Sequence, residues 1–329
     1  MKIVELNPTE FDKLAKCEPN SSFYQTSDWA KYYAYQGYEP LYLGYLSDKN
    51  VYLAFALILI SKGSLFQGKQ ALCPAGFLIN YYDTDLISKF TKDLKKYLRK
   101  KHVSSLYIEP NIEYHTSRMN NDLLINNLTK LGYQKTRNCK YFTVKVKKPE
   151  KLTIPKELCF NSYCISDDND KLFKNNSKCR YLHDSMKEHA RFVVCELDSN
   201  QSISNLQSTI NDINEYLDSH QYDINLDKTN IKKKQLLEKQ KLLDQVNYCV
   251  SKKGNNPVLV TTCLIEYDNV ITQVFIDDDR DYKEFKALDV ANTTTLRAIS
   301  DLGYKTYITY VQTNNAVRTE LVGGFELAL

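Results

Sequence analysis

The segment SISNLQSTINDINEYLDS, residues 202–219, carries the clearest structural signal in the sequence. Its apolar residues step by three and four, which is the spacing of a heptad seam: Ile203, Leu206, Ile210, Ile213 and Leu217. The pattern resumes less regularly after residue 227, and residues 202–253 contain neither glycine nor proline. We therefore predict an antiparallel helical hairpin over about residues 202–253.

Two placements of this hairpin are compatible with the sequence. It either projects from the protein as an arm or lies against the body as a solvated helix pair. The apolar seam is only wide enough for one partner helix, which favours projection. With about 18 to 24 residues in each helix, the arm would reach roughly 30 Å.

On the N-terminal side, the first 146 residues alternate between helical and extended patterns. A helix is predicted to begin with Ser27 or Asp28 as its N-cap. Further helices are predicted at 85–101 and 122–131, and strands at 39–45, 51–60, 104–109 and 141–146. Residues 47–50 form the turn of a hairpin between the first two strands.

On the C-terminal side, a similar pattern returns with strands at 257–266 and 270–276, a helix at 288–302 and a strand at 307–311. The tripeptide Leu-Gly-Tyr occurs at 131–133 and again at 302–304. Two hairpin–helix–strand units predict a duplicated α/β (α+β) fold. We place the first domain at 1–147 and a second, shortened domain at 148–329, with the arm inserted at about 202–253.

Composition narrows the class of protein. A chain of 329 residues suggests two domains, and 43% hydrophobic with 26% charged residues is typical of folded rather than disordered or membrane-spanning chains. A net charge of +4 is too small to argue for nucleic-acid binding by itself. The N-terminus has no apolar run like a signal peptide, and the longest apolar stretch, residues 51–60, is half the length of a bilayer helix. We expect a cytoplasmic protein.

An ordered series of motifs resembles the Fem family of peptidoglycan-bridge aminoacyltransferases (FemA, FemB and FemX). The motifs are Phe23-x-Gln25-Thr26-Ser27-x-Trp29-Ala30-Lys31, Gly37-Tyr38-Glu39-Pro40, Pro74-Ala75-Gly76-x-x-Ile79-Asn80-Tyr81, Leu106-Tyr107-Ile108-Glu109-Pro110 and Leu128-x-x-Leu131-Gly132-Tyr133. The resemblance implies two acetyltransferase-like (GNAT-like) domains with a coiled-coil arm. It also implies transfer of an amino acid from aminoacyl-tRNA to an amine on a peptidoglycan precursor, without a metal or an organic cofactor. A lipid-linked precursor would allow a peripheral membrane contact, and a Fem-type paralogue or a second copy is an expected partner.

This chemistry needs a neutral amine held close to an ester carbonyl, and positive charge for the oxyanion and the acceptor's diphosphate. Lys31 is the first candidate for acceptor binding, because its segment resembles an acceptor-contacting part of the family; the alternative is an exposed helix lysine. Trp29 is either a contact or, more commonly, a core aromatic. Tyr33, Gln25 and Arg318 are further candidates. On the arm, Lys232, Lys233 and Lys234 would contact tRNA, unless they simply form a solvated helix face.

Three departures from the family pattern lead us to assign no catalytic residue. Val322 stands where the family carries a lysine, and Val274-Phe275-Ile276 lacks the family's tyrosine. The start of the second domain is also short. An alternative is therefore a catalytically inactive Fem-like protein that binds a cell-wall precursor, tRNA or an active paralogue. An ordinary acetyltransferase is disfavoured, because no Gly-rich pyrophosphate loop is present.

Overall fold

The computed structural model describes residues 1–63, 68–114, 118–147, 154–166, 176–220, 226–310 and 316–329. The strands in these ranges are β1 Lys2–Glu5, β2 Glu39–Leu46, β3 Tyr52–Ile60, β4 Lys69–Cys73, β5 Val103–Ile108, β6 Tyr133–Arg137, β7 Lys140–Lys145, β8 Cys159–Ile165, β9 Ala190–Asp198, β10 Val258–Tyr267, β11 Val270–Asp278, β12 Thr306–Thr309, β13 Ala316–Glu320 and β14 Gly324–Ala328. The helices are α1 Pro8–Ala15, α2 Ser27–Tyr35, α3 Thr84–Lys100, α4 Arg118–Lys130, α5 Ser177–Ser185, α6 Ser199–Ser219, α7 Leu226–Lys253 and α8 Ala287–Asp301. Two 3-10 helices cover Phe23–Gln25 and Arg280–Phe285.

The strands form two seven-stranded sheets, each the centre of one lobe. The first has the order β1-β2-β3-β4-β5-β14-β6, and the second has the order β8-β9-β10-β11-β12-β7-β13. Each sheet contains one parallel pair, β4 with β5 and β11 with β12, and its other pairs are antiparallel. The predicted mixed α/β fold with two related lobes is confirmed.

The apolar run of β3 is explained by burial on both faces. Ala54, Ala56, Ile58 and Ile60 pack in one cluster with the α3 side chains. The alternating residues Phe55, Leu57 and Leu59 pack in a second cluster with α1 and α2. A strand covered on both faces has no polar side, which is why its sequence shows no alternation.

The two sheets exchange one strand each. Strand β7 follows β6 along the chain but pairs with β12 and β13 in the second sheet. In return β14, near the C-terminus, pairs with β5 and β6 in the first sheet. A division of the chain at residue 147 therefore does not coincide with the division between the sheets, and the strand predicted at 141–146 belongs to the second lobe.

Sheet order also corrects the correspondence that we drew between the two halves. By position in the sheet, β10 and β11 match β3 and β4, rather than the hairpin of β2 and β3. The helical hairpin α6–α7, between β9 and β10, thus occupies the position of the short turn at residues 47–51. The repeated Leu-Gly-Tyr does not mark equivalent positions either, since it precedes β6 in one lobe and β12 in the other. It reflects helix termination, because Gly132 and Gly303 have φ values of 92° and 86° after α4 and α8.

Helices α6 and α7 pack against each other as a hairpin whose two ends differ. Near the body, Leu206, Val246 and Cys249 are buried in a cluster with β9, β10 and the 3-10 helix at 280–285. At the other end, the Lys232 amine lies 5.3 Å from the Tyr216 ring centroid, which shows that the helices run antiparallel. Leu237 is 66% exposed there. The base of the hairpin is therefore anchored to the second lobe, and its outer face is open to solvent.

An apolar cluster joins the lobes. Phe23, Trp29 and Tyr32 from the first lobe pack with residues of α5, β9, β10 and β11 from the second. Tyr35 of α2 also stacks on Tyr181 of α5, with ring centroids 5.1 Å apart. None of the helices in the described ranges combines the length and hydropathy needed to cross a bilayer.

Candidate active site between the lobes

A cavity of about 350 Å³ lies between the lobes, and we call it the interlobe cavity. It sits at the carboxyl ends of the parallel strands β4 and β5, where Pro74 and Glu109 follow, and Tyr310 enters it directly after β12. Ligands commonly bind at such strand ends in open α/β sheets. The cavity is lined by Tyr24, Trp29, Tyr33, Leu72, Pro74, Ala75, Glu109, Asn111, Arg137, Asn138, Cys139, Lys140, Tyr310 and Leu321.

Glu109 is the centre of the charged groups in this cavity. Its carboxylate pairs with the Arg137 guanidinium and accepts a hydrogen bond from the Tyr107 hydroxyl at 2.8 Å. The hydrogen bond that Arg137 donates to Glu109 raises the pKa of Arg137, although burial opposes this shift. Burial, and then the bond to Glu109, raise the pKa of Tyr107 to about 12. At neutral pH, Tyr107 is therefore a neutral donor that helps to fix the carboxylate.

One wall of the cavity is aromatic. Trp29 and Tyr33 lie four residues apart on α2, so they share one helix face, and their ring centroids are 5.6 Å apart. Tyr24 lies 5.0 Å from Trp29 and 6.1 Å from Tyr310, centroid to centroid. Burial raises the pKa of Tyr33 to about 12 and raises that of Tyr24 well above its ordinary value. This wall is therefore uncharged at neutral pH.

The helix that carries this wall begins one residue earlier than predicted. Thr26, not Ser27 or Asp28, is the N-cap of α2, and its hydroxyl accepts from the Trp29 amide at 3.2 Å. The Ser27 hydroxyl instead donates to the Asp12 carboxylate of α1 at 2.5 Å. The sequence Thr-Ser-Asp offers three residues with capping side chains, so the true cap depended on tertiary partners.

Gln25 holds the opposite wall in place from inside the fold. Its side-chain oxygen accepts from the Leu57 amide at 2.8 Å, and its amide nitrogen donates to the Pro74 carbonyl. The loop after Pro74 then passes close to Pro110. A Cβ on Gly76 would lie 2.7 Å from the Pro110 Cα, and Gly76 has a φ of 73°. This position therefore requires glycine, and the close approach fixes where Glu109 leaves β5.

The predicted site residues separate into two groups. Trp29 and Tyr33 line the interlobe cavity, whereas Gln25 is 1% exposed and already bonded within the fold. Lys31 lies outside the cavity lining and pairs with Asp28 at 2.7 Å, and Arg318 pairs with Glu320 at 2.6 Å on β13. The three arm residues Lys232, Lys233 and Lys234 lie on α7, away from the cavity.

Sequence reasoning missed three residues of the site. Glu109 lies at the end of the strand motif Leu106-Tyr107-Ile108-Glu109-Pro110. Its position directly after a strand was the feature of the sequence that could have identified it. Arg137 and Tyr310 had no local signal, because they reach the cavity through strands that pair with distant parts of the chain.

Two departures from the family pattern have structural explanations. Val322 is fully buried in the core of the first lobe, and its amide donates to the Ile112 carbonyl at 3.0 Å. Phe275 is packed in the cluster between the lobes, with the Lys178 amine 4.4 Å from its ring centroid. Both positions are therefore filled by apolar packing.

The two joined sheets, each with one parallel pair of strands, have the architecture of two GNAT-like lobes. A solved structure of FemX shares this fold with a TM-score of 0.60 at 12% identity, covering 100% of this chain and 98% of that one. A tandem GNAT protein from the clavulanic acid biosynthesis pathway has a TM-score of 0.61 at 7% identity, covering 99% of this chain and 98% of that one.

Comparison by sequence finds a narrower group of similar proteins. The model of the FemAB family matches residues 6–146. Aminoacyltransferase FemA of Staphylococcus aureus (strain bovine RF122 / ET3-1) is 26% identical over 144 residues, which cover 41% of this chain and 34% of that protein. FemA of strain MW2 matches with the same identity and coverage. The match spans about a third of the length of these relatives. The first half of the chain, where the Fem-like motifs lie, is therefore similar in sequence to Fem-family proteins.

Proposed function

We propose that this protein transfers an amino acid from an aminoacyl-tRNA to an amine of a peptidoglycan precursor. The family match and the similarity to proteins named aminoacyltransferase support the reaction class. The observation that carries the proposal is the Glu109–Arg137 pair, because it places a carboxylate and a cation together in an aromatic-walled cavity.

In the proposed reaction, the amine nitrogen of the acceptor attacks the carbonyl carbon of the aminoacyl ester. A carbon–nitrogen bond forms, and the carbon–oxygen bond to the tRNA ribose breaks. Glu109 accepts the proton that the nitrogen loses and returns one to the departing ribose oxygen. Arg137 stabilises the oxyanion, and Lys140 offers positive charge to nearby phosphates.

The proposal includes a location and partners. Charged tRNA and nucleotide-linked precursors are cytoplasmic, so the reaction would take place there, with a peripheral membrane contact where the precursor is lipid-linked. Lys232, Lys233 and Lys234 would contact the tRNA from the arm. A Fem-type paralogue or a second copy of the chain would be the protein partner.

A second candidate is a catalytically inactive Fem-like protein that binds the precursor, tRNA or an active paralogue. The burial of Val322 favours it, because this position adds no positive charge to the cavity. Within the described ranges, the cavity lining then offers only Arg137, which Glu109 already pairs, and Lys140.

Transfer can be tested with purified protein, glycyl-, alanyl- or seryl-tRNA, and a nucleotide-linked muropeptide, with the product followed by mass. We expect the muropeptide to gain one amino acid with at least one of these tRNAs. Glu109→Gln should lower kcat by about 100-fold or more, because the proton acceptor is lost. Glu188→Gln, an exposed carboxylate outside the cavity, is the matched control and should match the native protein.

Absence of product with all three tRNAs, together with retained muropeptide binding, would reject transfer of these amino acids and support the second candidate. Robust turnover by the native protein would end the second candidate instead.

A further inference from the structure

A smaller cavity of about 200 Å³ adjoins the interlobe cavity, and we call it the Glu113 cavity. The two cavities share Tyr24, Asn111 and Tyr310, so only one layer of side chains separates them. A surface cavity of about 530 Å³ also shares Asn111 and Glu113 with it. Asn111 lines all three cavities, so they lie next to one another.

The charged side chains that line the Glu113 cavity are acidic. Its lining includes the carboxylates of Glu113 and Asp268 and, within the described chain, neither lysine nor arginine. The surface cavity next to it adds Glu18, whose pKa is raised by burial, and it also has no lysine or arginine among its described lining. The interlobe cavity, in contrast, contains Arg137 and Lys140.

Thr272 shows that the Glu113 cavity has hydrogen-bonding capacity to spare. This residue of β11 lines the cavity and is only 4% exposed, yet its hydroxyl has no hydrogen-bond partner among the residues that the structure describes. A hydroxyl that has no protein partner can accept a hydrogen bond from a polar group bound in the cavity. Glu113 uses one carboxylate oxygen to accept from Tyr141, and its other oxygen has no partner within the same ranges.

The rings of Tyr24 and Tyr310 divide the acidic space from the basic one. Burial raises the pKa of both phenols, so both are neutral at physiological pH and add no charge to either side. An ammonium group is therefore attracted to Glu113 and Asp268, whereas phosphates are attracted to Arg137 and Lys140.

We propose that the Glu113 cavity binds the amine-bearing side chain of the acceptor as an ammonium group, before that amine reaches Glu109. The identity of this acceptor rests on the proposed function. The ammonium donates hydrogen bonds to Glu113 and Thr272. The tRNA ester approaches from the Arg137 side, so the two substrates meet beside Tyr24 and Tyr310.

Calorimetric binding tests this assignment without catalysis. The probe is an N-acetylated pentapeptide with one lysine, compared with the same peptide after acetylation of the lysine amine. Native protein should bind the free amine about tenfold more tightly, a difference of about 1.4 kcal/mol, because acetylation removes the positive charge that Glu113 attracts. Glu113→Gln should abolish this preference, while Glu188→Gln should preserve it.

Thr272→Val, which is nearly isosteric, is a second variant that tests the same cavity if Glu113→Gln does not fold. It should weaken binding of the free-amine peptide while circular dichroism stays native. Equal binding of both peptides by native protein, or a preference that survives Glu113→Gln, would overturn the proposal. Lack of transfer with a retained amine preference would reject the proposed function alone. If transfer occurs and the KM for the acceptor is the same in native protein and Glu113→Gln, this subsite alone is rejected.

Discussion

At the scale of single residues, Gln25 shows that a motif alone does not predict whether a polar side chain contacts a ligand or the protein backbone. It stands in the motif Phe23-x-Gln25-Thr26-Ser27, and its polar side chain suggested a contact with substrate. The amide is instead buried and connects β3 to the loop after β4. A sequence indicates that a glutamine is available for hydrogen bonding, but burial decides whether its partner is a ligand or the backbone. Trp29 and Tyr33, from the same helix region, do line the cavity.

We predict that Gln25→Ala lowers the free energy of unfolding by about 2–4 kcal/mol, since it leaves the buried Leu57 amide without its acceptor and removes a bond to Pro74. Urea denaturation would measure the change. Gln134→Ala, at an exposed position on β6, is the control and should change stability by less than about 0.5 kcal/mol. A Gln25 variant as stable as this control would show that these hydrogen bonds do not support the cavity wall.

At the scale of helices and strands, local pattern was a reliable guide. The helix predicted at 85–101 is Thr84–Lys100, and the strand predicted at 141–146 is Lys140–Lys145. Periodicity reports which side of an element is buried, so it locates elements well. The hairpin at 202–253 was likewise predicted from its seam, but the depth to which its base enters the second lobe was not. That depth depends on Leu158, Tyr282 and Phe285, which are distant in sequence.

The different environments along the hairpin predict different costs for the same substitution. Leu206→Ala, at a fully buried position of α6, should lower the free energy of unfolding by about 2–5 kcal/mol, because it leaves a cavity in the second lobe. Leu237→Ala, on the outer face of α7, should change it by less than about 0.5 kcal/mol. Chemical denaturation of both variants would test this. Similar losses would mean that the outer face of α7 is covered, contrary to its exposure here.

At the scale of the whole molecule, the exchange of β7 and β14 brings distant parts of the chain together at the interlobe cavity. Arg137 ends β6 in the first sheet, and Lys140 begins β7 in the second, so the cavity lies where the chain crosses between lobes. The pattern of residues 140–145 predicts a strand, but nothing in it indicates which sheet it joins. Pairing of β7 with β12 and β13 is decided by contacts more than 150 residues away along the chain. For this reason the lobes were predictable from sequence, whereas the composition of the cavity was not.

Strand exchange and the apolar cluster between the lobes predict that both lobes unfold together. Neither sheet is complete without a strand from the other half of the chain, and Trp29, the only tryptophan, is buried in the shared cluster. Thermal unfolding followed by Trp29 fluorescence should therefore coincide with unfolding followed by far-ultraviolet circular dichroism. Phe325→Ala in β14 and Phe192→Ala in β9 remove fully buried rings from different sheets. Each should lower the free energy of unfolding by about 3–5 kcal/mol and shift one common transition. Two separated transitions, with each variant moving only one, would show that the lobes are independent despite the exchanged strands.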